Sequence, residues 1–124
     1  MDFNKIKKRI GNFKDAKVLV IGAAYKKDVK DLRESPALEI IDILIKKGAL
    51  ISYYDPYLPY LNIDGINLKG LPFNKRSFKD SDCVVIVTDH SNVDYEFITK
   101  NSKLVIDTRN VLKDVSNKSN IVRI

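Results

Sequence analysis

The sequence holds one cysteine, Cys83, one histidine, His90, and only five glycines in 124 residues. A single thiol can build neither a disulfide framework nor a cysteine-rich metal site, and it is compatible with a reducing compartment. His90 is accompanied by neither a cysteine nor a second histidine, so it is a poor metal ligand. No apolar run approaches the roughly 18 to 20 residues of a membrane span, and the N-terminus lacks the apolar core of a signal peptide. The expectation is therefore a cytoplasmic chain without membrane contact. Glycine-rich phosphate loops are missing as well. No G-x-x-x-x-G-K-[ST] occurs, and the turn opened by Gly22 reads G-A-A-Y-K-K, without the second glycine that lets a backbone approach a pyrophosphate. A self-sufficient dinucleotide site at that turn is not expected. G-x-S-x-G is also absent, and adjacent Asp89, His90 and Ser91 cannot point together as a hydrolytic triad.

What is present suits one ordinary core, with 44% hydrophobic and 31% charged residues. The net charge of +6 invites a nucleic-acid reading until its location is examined. Residues 1–17 hold six basic and two acidic side chains and residues 113–124 three and one, leaving thirteen of each sign between them. The body is neutral, so solvated termini explain the charge better than a duplex-binding face, and no nucleic-acid partner is expected.

The chain is organised around residues 18–39. V-L-V-I at 18–21 is an apolar run of the kind a strand buried on both faces shows, and Gly22 stops it. A charge-dense run at 26–34 follows, and then Ser35-Pro36, a cap residue and a first-turn proline, predict a helix from Pro36. That helix extends to Lys47, with Gly48 as a left-handed cap, and 50–54 is a second strand closed by Asp55-Pro56. Strand, helix, short turn and strand make a right-handed parallel βαβ unit.

Upstream, Phe3, Ile6, Ile10 and Phe13 form one helical stripe among lysines, which fits residues 1–16 as the end of a linking amphipathic helix. Residues 57–73 read as a variable connection with one edge strand near 63–68. Helical turns are expected at 75–81, a buried strand at 83–87, a short helix at 94–100, a strand at 104–107 and a last edge strand at 121–124. The pattern is an α/β fold, an open, mainly parallel Rossmann-like sheet with helices on both faces. No acidic pair follows the first strand, which excludes a phosphoacceptor receiver of the same architecture.

In such a sheet the strand ends converge, which places Tyr25, Lys26 and Lys27 beside residues 88–91 and 108–110. Cations and an aromatic ring at that edge suit a phosphate-bearing ligand, since Arg holds two phosphate oxygens at once and Lys acts as a point charge. The alternative stays open: Lys26 and Lys27 as solvated loop charges, and Arg109 paired with Asp107 or Asp31. Asp55 can mimic a ribose-binding acid, though an Asp-Pro turn explains it more simply. Cys83, inside a strand, reads as inert core.

The stretch G-A-A-Y-K-K-D-V-K-D-L-R-E-S-P-A-L-E-I-I from Gly22 resembles the signature of the C-terminal, UDP-binding domain of the UDP-glucose/GDP-mannose dehydrogenase family. Y-Y-D-P at 53–56, D-C-V-V-I-V-T-D-H at 82–90 and V-I-D-T-R-N at 105–110 agree in order and spacing, and within the family the wording is most similar to UDP-N-acetylglucosamine 6-dehydrogenases. The resemblance implies a two-step, NAD-dependent oxidation of a nucleotide-sugar C6 hydroxyl to a carboxylate. The cysteine nucleophile and the glycine-rich NAD fold belong to N-terminal and central domains, and Cys83 does not match the nucleophile's motif. It further implies that 17–124 is a UDP-binding C-terminal domain, inactive in isolation, of an enzyme that is a homo-oligomer when complete. Residue by residue, Tyr25, Lys26 and Arg109 match positions that contact the UDP-sugar, and Arg33 matches the arginine that reaches NAD. The runner-up is a stand-alone nucleotide- or phosphate-binding module.

Overall fold

Strand β1, Lys17–Ile21, has its last four residues buried, and their side chains alternate between two separate apolar clusters. Val18 and Val20 enter one cluster, with Ala37, Ile41 and Leu44; Leu19 and Ile21 enter the other, with Phe78, Ile98 and Leu112. The two-residue period of a strand thus divides the core into a layer on each face of the sheet. The computed structural model describes residues 3–22, 36–63, 65–116 and 118–124.

The first layer is covered by α2, Pro36–Lys46. Gly48, at φ +93°, ends it: the Gly48 N–H donates to Ile45 O and the Ala49 N–H to Leu44 O, the paired bonds of a Schellman cap. The chain then re-enters the sheet as β2, Leu50–Tyr54, in parallel register with β1, Lys17 opposite Leu50 and Ile21 opposite Tyr54. After the hairpin β3, Tyr60–Ile63, and β4, Ile66–Lys69, come α3, Lys75–Lys79, and β5, Cys83–Ile86. They are followed by α4, Tyr95–Asn101, β6, Val105–Asp107, and β7, Ile121–Arg123. The sheet order is β2-β1-β5-β6-β7 and every neighbouring pair is parallel. This is the expected α/β fold with helices on both faces.

Two local expectations are revised. The single edge strand expected near 63–68 is an antiparallel hairpin, because Gly65, at φ +81°, reverses the chain in the middle of that run. It joins the main sheet through a bridge between Tyr53 and Gly70. The stripe of Phe3, Ile6, Ile10 and Phe13 does not lie on one helix either. α1 spans Phe3–Ile10, and Gly11, at φ +86°, ends it. Phe13 is buried from the following loop, edge-on to Phe3 at 6.3 Å, with the Lys47 ammonium over both rings. Ile6 and Phe13 are thereby built into the same layer as α2. Among the described residues no helix is long and apolar enough to cross a membrane.

Candidate functional site

Because the strands are parallel, their carboxyl ends share one edge, where an open α/β sheet binds ligands. Hydrogen bonds carry the sheet past its last ladder residues there. The Gly22 N–H donates to Tyr54 O at 2.8 Å and the Val87 N–H to Ile21 O at 3.1 Å. Thr88 and Thr108 follow β5 and β6, and their hydroxyls donate to the carbonyls of Gly22 and Ile86 respectively.

Gly22 decides what this edge can hold. Its φ is +88°, and a Cβ placed on it would stand 2.6 Å from Thr88 Cβ. The space beside the glycine is filled by Thr88, so any side chain at position 22 would collide with that residue.

Arg109 is the one expected ligand contact among the described residues, and its seat is well defined. Asp107, only 2% exposed, ends β6 and spends both carboxylate oxygens on the turn that follows. Oδ1 accepts from the N–H groups of Arg109 at 3.0 Å and Val111 at 3.2 Å, and Oδ2 from that of Leu112 at 3.0 Å. Asn110 takes the left-handed conformation at φ +59°, which asparagine tolerates better than most residues. Asp107 thus meets Arg109 through the backbone, and the guanidinium forms no salt bridge among the described residues. Arg109 is exposed at the strand-end edge. Tyr25, Lys26, Lys27, Asp31 and Arg33 lie outside the described residues.

A second buried carboxylate, at the end of β2, has the partner that sequence reasoning missed. Asp55 Oδ1 accepts from the Tyr57 N–H at 2.8 Å, the turn expected of Asp-Pro, while Oδ2 lies 3.2 Å from His90 Nε2. Both side chains are fully buried, and the Tyr57 ring meets the imidazole edge-on at 5.4 Å. His90 and Asp55 are 35 residues apart, and nothing in the sequence pairs them; only the strand order β2-β1-β5 brings them together.

Cys83 lies in the interior of the sheet, where burial and the neighbouring Asp82 push its thiol up from 9.0 to about 12. It is inert core, as expected. Two surface clefts, of about 440 and 510 Å³, lie at the opposite end of the strands, the first beside Lys17 and Leu50 and the second beside Lys14 and Lys103. Neither includes any of the strand-end residues described above.

A sequence model of the UDP-glucose/GDP-mannose dehydrogenase family, UDP binding domain, matches residues 19–114. The chain belongs to this family. The match begins in β1 and runs through the Asp107 turn, so it includes both buried carboxylates and Arg109. A UDP-N-acetyl-D-mannosamine dehydrogenase of Methanococcus vannielii is 37% identical over 109 residues, covering 82% of this chain and 24% of that protein. A UDP-glucose 6-dehydrogenase of Rickettsia prowazekii is 31% identical over 110 residues, covering 82% and 25%. The solved UDP-D-ManNAc dehydrogenase of Pyrococcus horikoshii superposes with a TM-score of 0.74 at 29% identity, over 98% of this chain and 28% of its own. The chain thus spans about a quarter of the length of these dehydrogenases. The narrower likeness to UDP-N-acetylglucosamine 6-dehydrogenases is not the one the relatives' names carry. The acetylmannosamine and acetylglucosamine sugars are C2 epimers.

Proposed function

We propose that this chain binds the UDP of a nucleotide-sugar substrate and is the UDP-binding portion, residues 17–124, of an NAD-dependent nucleotide-sugar 6-dehydrogenase. The observation that carries this reading is the Asp107 turn, inside the stretch matched by the family, which presents Arg109, with no ion-pair partner among the described residues, at the edge where the parallel strands end. A guanidinium held there by its own backbone can take two oxygens of a diphosphate in its fork. Lys26 adds a point charge and Tyr25 a ring or a hydroxyl from the same loop sequence, while Arg33 serves NAD held by another domain.

The overall oxidation takes the C6 hydroxyl through an aldehyde to a carboxylate, whose second oxygen comes from water, with four electrons passing to two NAD and the remaining protons to solvent. The thiol that holds the aldehyde-level carbon comes from a further domain, because Cys83 is buried in β5 and protonated at neutral pH. This chain's own part is to bind and orient the nucleotide. Residues 1–16, with α1 and the loop after Gly11, are read as the segment that links it to those domains, and the free thiol fits a cytoplasmic location.

Calorimetric titration of the 124-residue chain with UDP tests the reading. Binding is expected in the wild type and about tenfold or more weaker in Arg109→Ala and Lys26→Ala, each losing one charge-assisted contact. Equal binding by all three counts against the site. In a complete dehydrogenase Arg33→Ala is expected to raise the NAD requirement and leave UDP binding unchanged. Turnover of a UDP-sugar with NAD by the 124-residue chain alone would overturn the division of labour.

A further inference from the structure

The order β2-β1-β5 sets the ends of β2 and β5 on either side of the exit of β1 at Gly22. Across that exit His90 Nε2 and Asp55 Oδ2 meet at 3.2 Å with both side chains out of solvent. Asp55 is tied on its other oxygen to its own turn through the Tyr57 N–H. On the β5 side, the His90 N–H donates to the Tyr95 hydroxyl at 2.9 Å, that hydroxyl donates to Thr88 O, and the Thr88 hydroxyl donates to Gly22 O. One connected set of polar contacts therefore runs from the end of β2 through the end of β5 to the end of β1.

A buried ionisable pair is a poor source of stability, because desolvation offsets the attraction and apolar side chains of like volume often do as well. What such a contact adds over apolar packing is direction, since a hydrogen bond fixes both the separation and the orientation of the groups it joins. Here it joins two turns at the strand-end edge, one on each side of the end of β1.

We propose that His90 and Asp55 are a positioning pair for nucleotide binding, locking the turns after β2 and β5 at the separation in which the strand ends receive a diphosphate. The inference rests on the UDP reading above. Neither side chain touches the ligand; both act through the turns they hold.

His90 is the sole histidine, so its imidazole proton and nitrogen resonances are unambiguous in the labelled chain. On titration of the wild type with UDP they are expected to shift over the concentration range of the calorimetric isotherm. His90→Leu, which removes the donor, is expected to bind UDP about tenfold or more weakly, and His90→Gln, which keeps a nitrogen donor within reach of Asp55, to recover most of that loss. Resonances that stay fixed through saturation overturn the positioning role while leaving the UDP reading intact. Wild-type affinity in His90→Leu does the same, as does an affinity that follows thermal stability across the variants with no recovery in His90→Gln. If His90→Leu does not fold, the wild-type resonances and His90→Gln decide. A wild type that does not bind UDP overturns the reading and the pair's role with it.

Discussion

Gly22 and Thr88 pack against each other at the strand-end edge: the glycine's α-carbon faces the threonine side chain so tightly that a Cβ there would lie 2.6 Å from Thr88 Cβ. The glycine is required twice over, by that approach and by φ +88°. Gly22→Ala is therefore expected to cost about 2 kcal/mol or more, combining left-handed strain with overpacking. Urea denaturation measures it. The double variant Gly22→Ala/Thr88→Ala is expected to remain destabilised, because the clash is with Thr88 Cβ, which alanine retains. Full rescue by Thr88→Ala would show that the contact is with the hydroxyl instead.

Asp107 holds three backbone N–H groups, so its removal leaves donors unpaired at 109, 111 and 112, the last of them buried. Asp107→Ala is expected to destabilise the chain by about 3 kcal/mol, the scale of a charged acceptor lost from several donors. It is also expected to weaken UDP binding as much as Arg109→Ala does, although Asp107 carries the wrong charge to bind a diphosphate. Calorimetry at a temperature where the variant is folded checks this. Unchanged UDP affinity there would show that the turn does not present Arg109.

The protonated thiol of Cys83 makes stability fall with alkali. Its folded value is raised from 9.0 to about 12, chiefly by burial, so the neutral thiol's contribution is complete below about pH 9 and is lost as pH climbs toward 12. Tyr53, raised from 10.0 to about 12 chiefly by burial, acts in the same direction over a similar window. The urea midpoint is expected to decline through that range, and less steeply in Cys83→Ala. A thiol-specific reagent is expected to label the chain only on unfolding. Rapid labelling of the native chain at neutral pH would place Cys83 outside the core.

The parts of this fold that were legible in the sequence are those set by local chemistry. Continuous burial at Val18, Leu19, Val20 and Ile21 follows from a strand covered on both faces, and the start of α2 at Pro36 and its end at Gly48 follow from the backbone limits of proline and glycine. The hairpin was not legible, because Gly65 inside a short apolar run fits a bulge, a loop or a reversal equally well. Nor was the end of α1, since Phe13 keeps the helical spacing yet reaches the core from the loop after Gly11.

For the site, the sequence by itself determined the residue types: a turn without a second glycine, Arg109 after a strand, and four motifs in the order of one family. It did so because these depend on neighbours in the chain and on spacing. Only the tertiary structure decided what the buried acids do. Asp107 is an acceptor for its own turn and no counter-ion for Arg109, and Asp55 is the partner of His90. The reason is that a carboxylate taken from water must be satisfied by whichever donors the fold brings within reach. For Asp55 those include a side chain 35 residues away, and the strand order β2-β1-β5 that puts it there arises from long-range packing of the sheet.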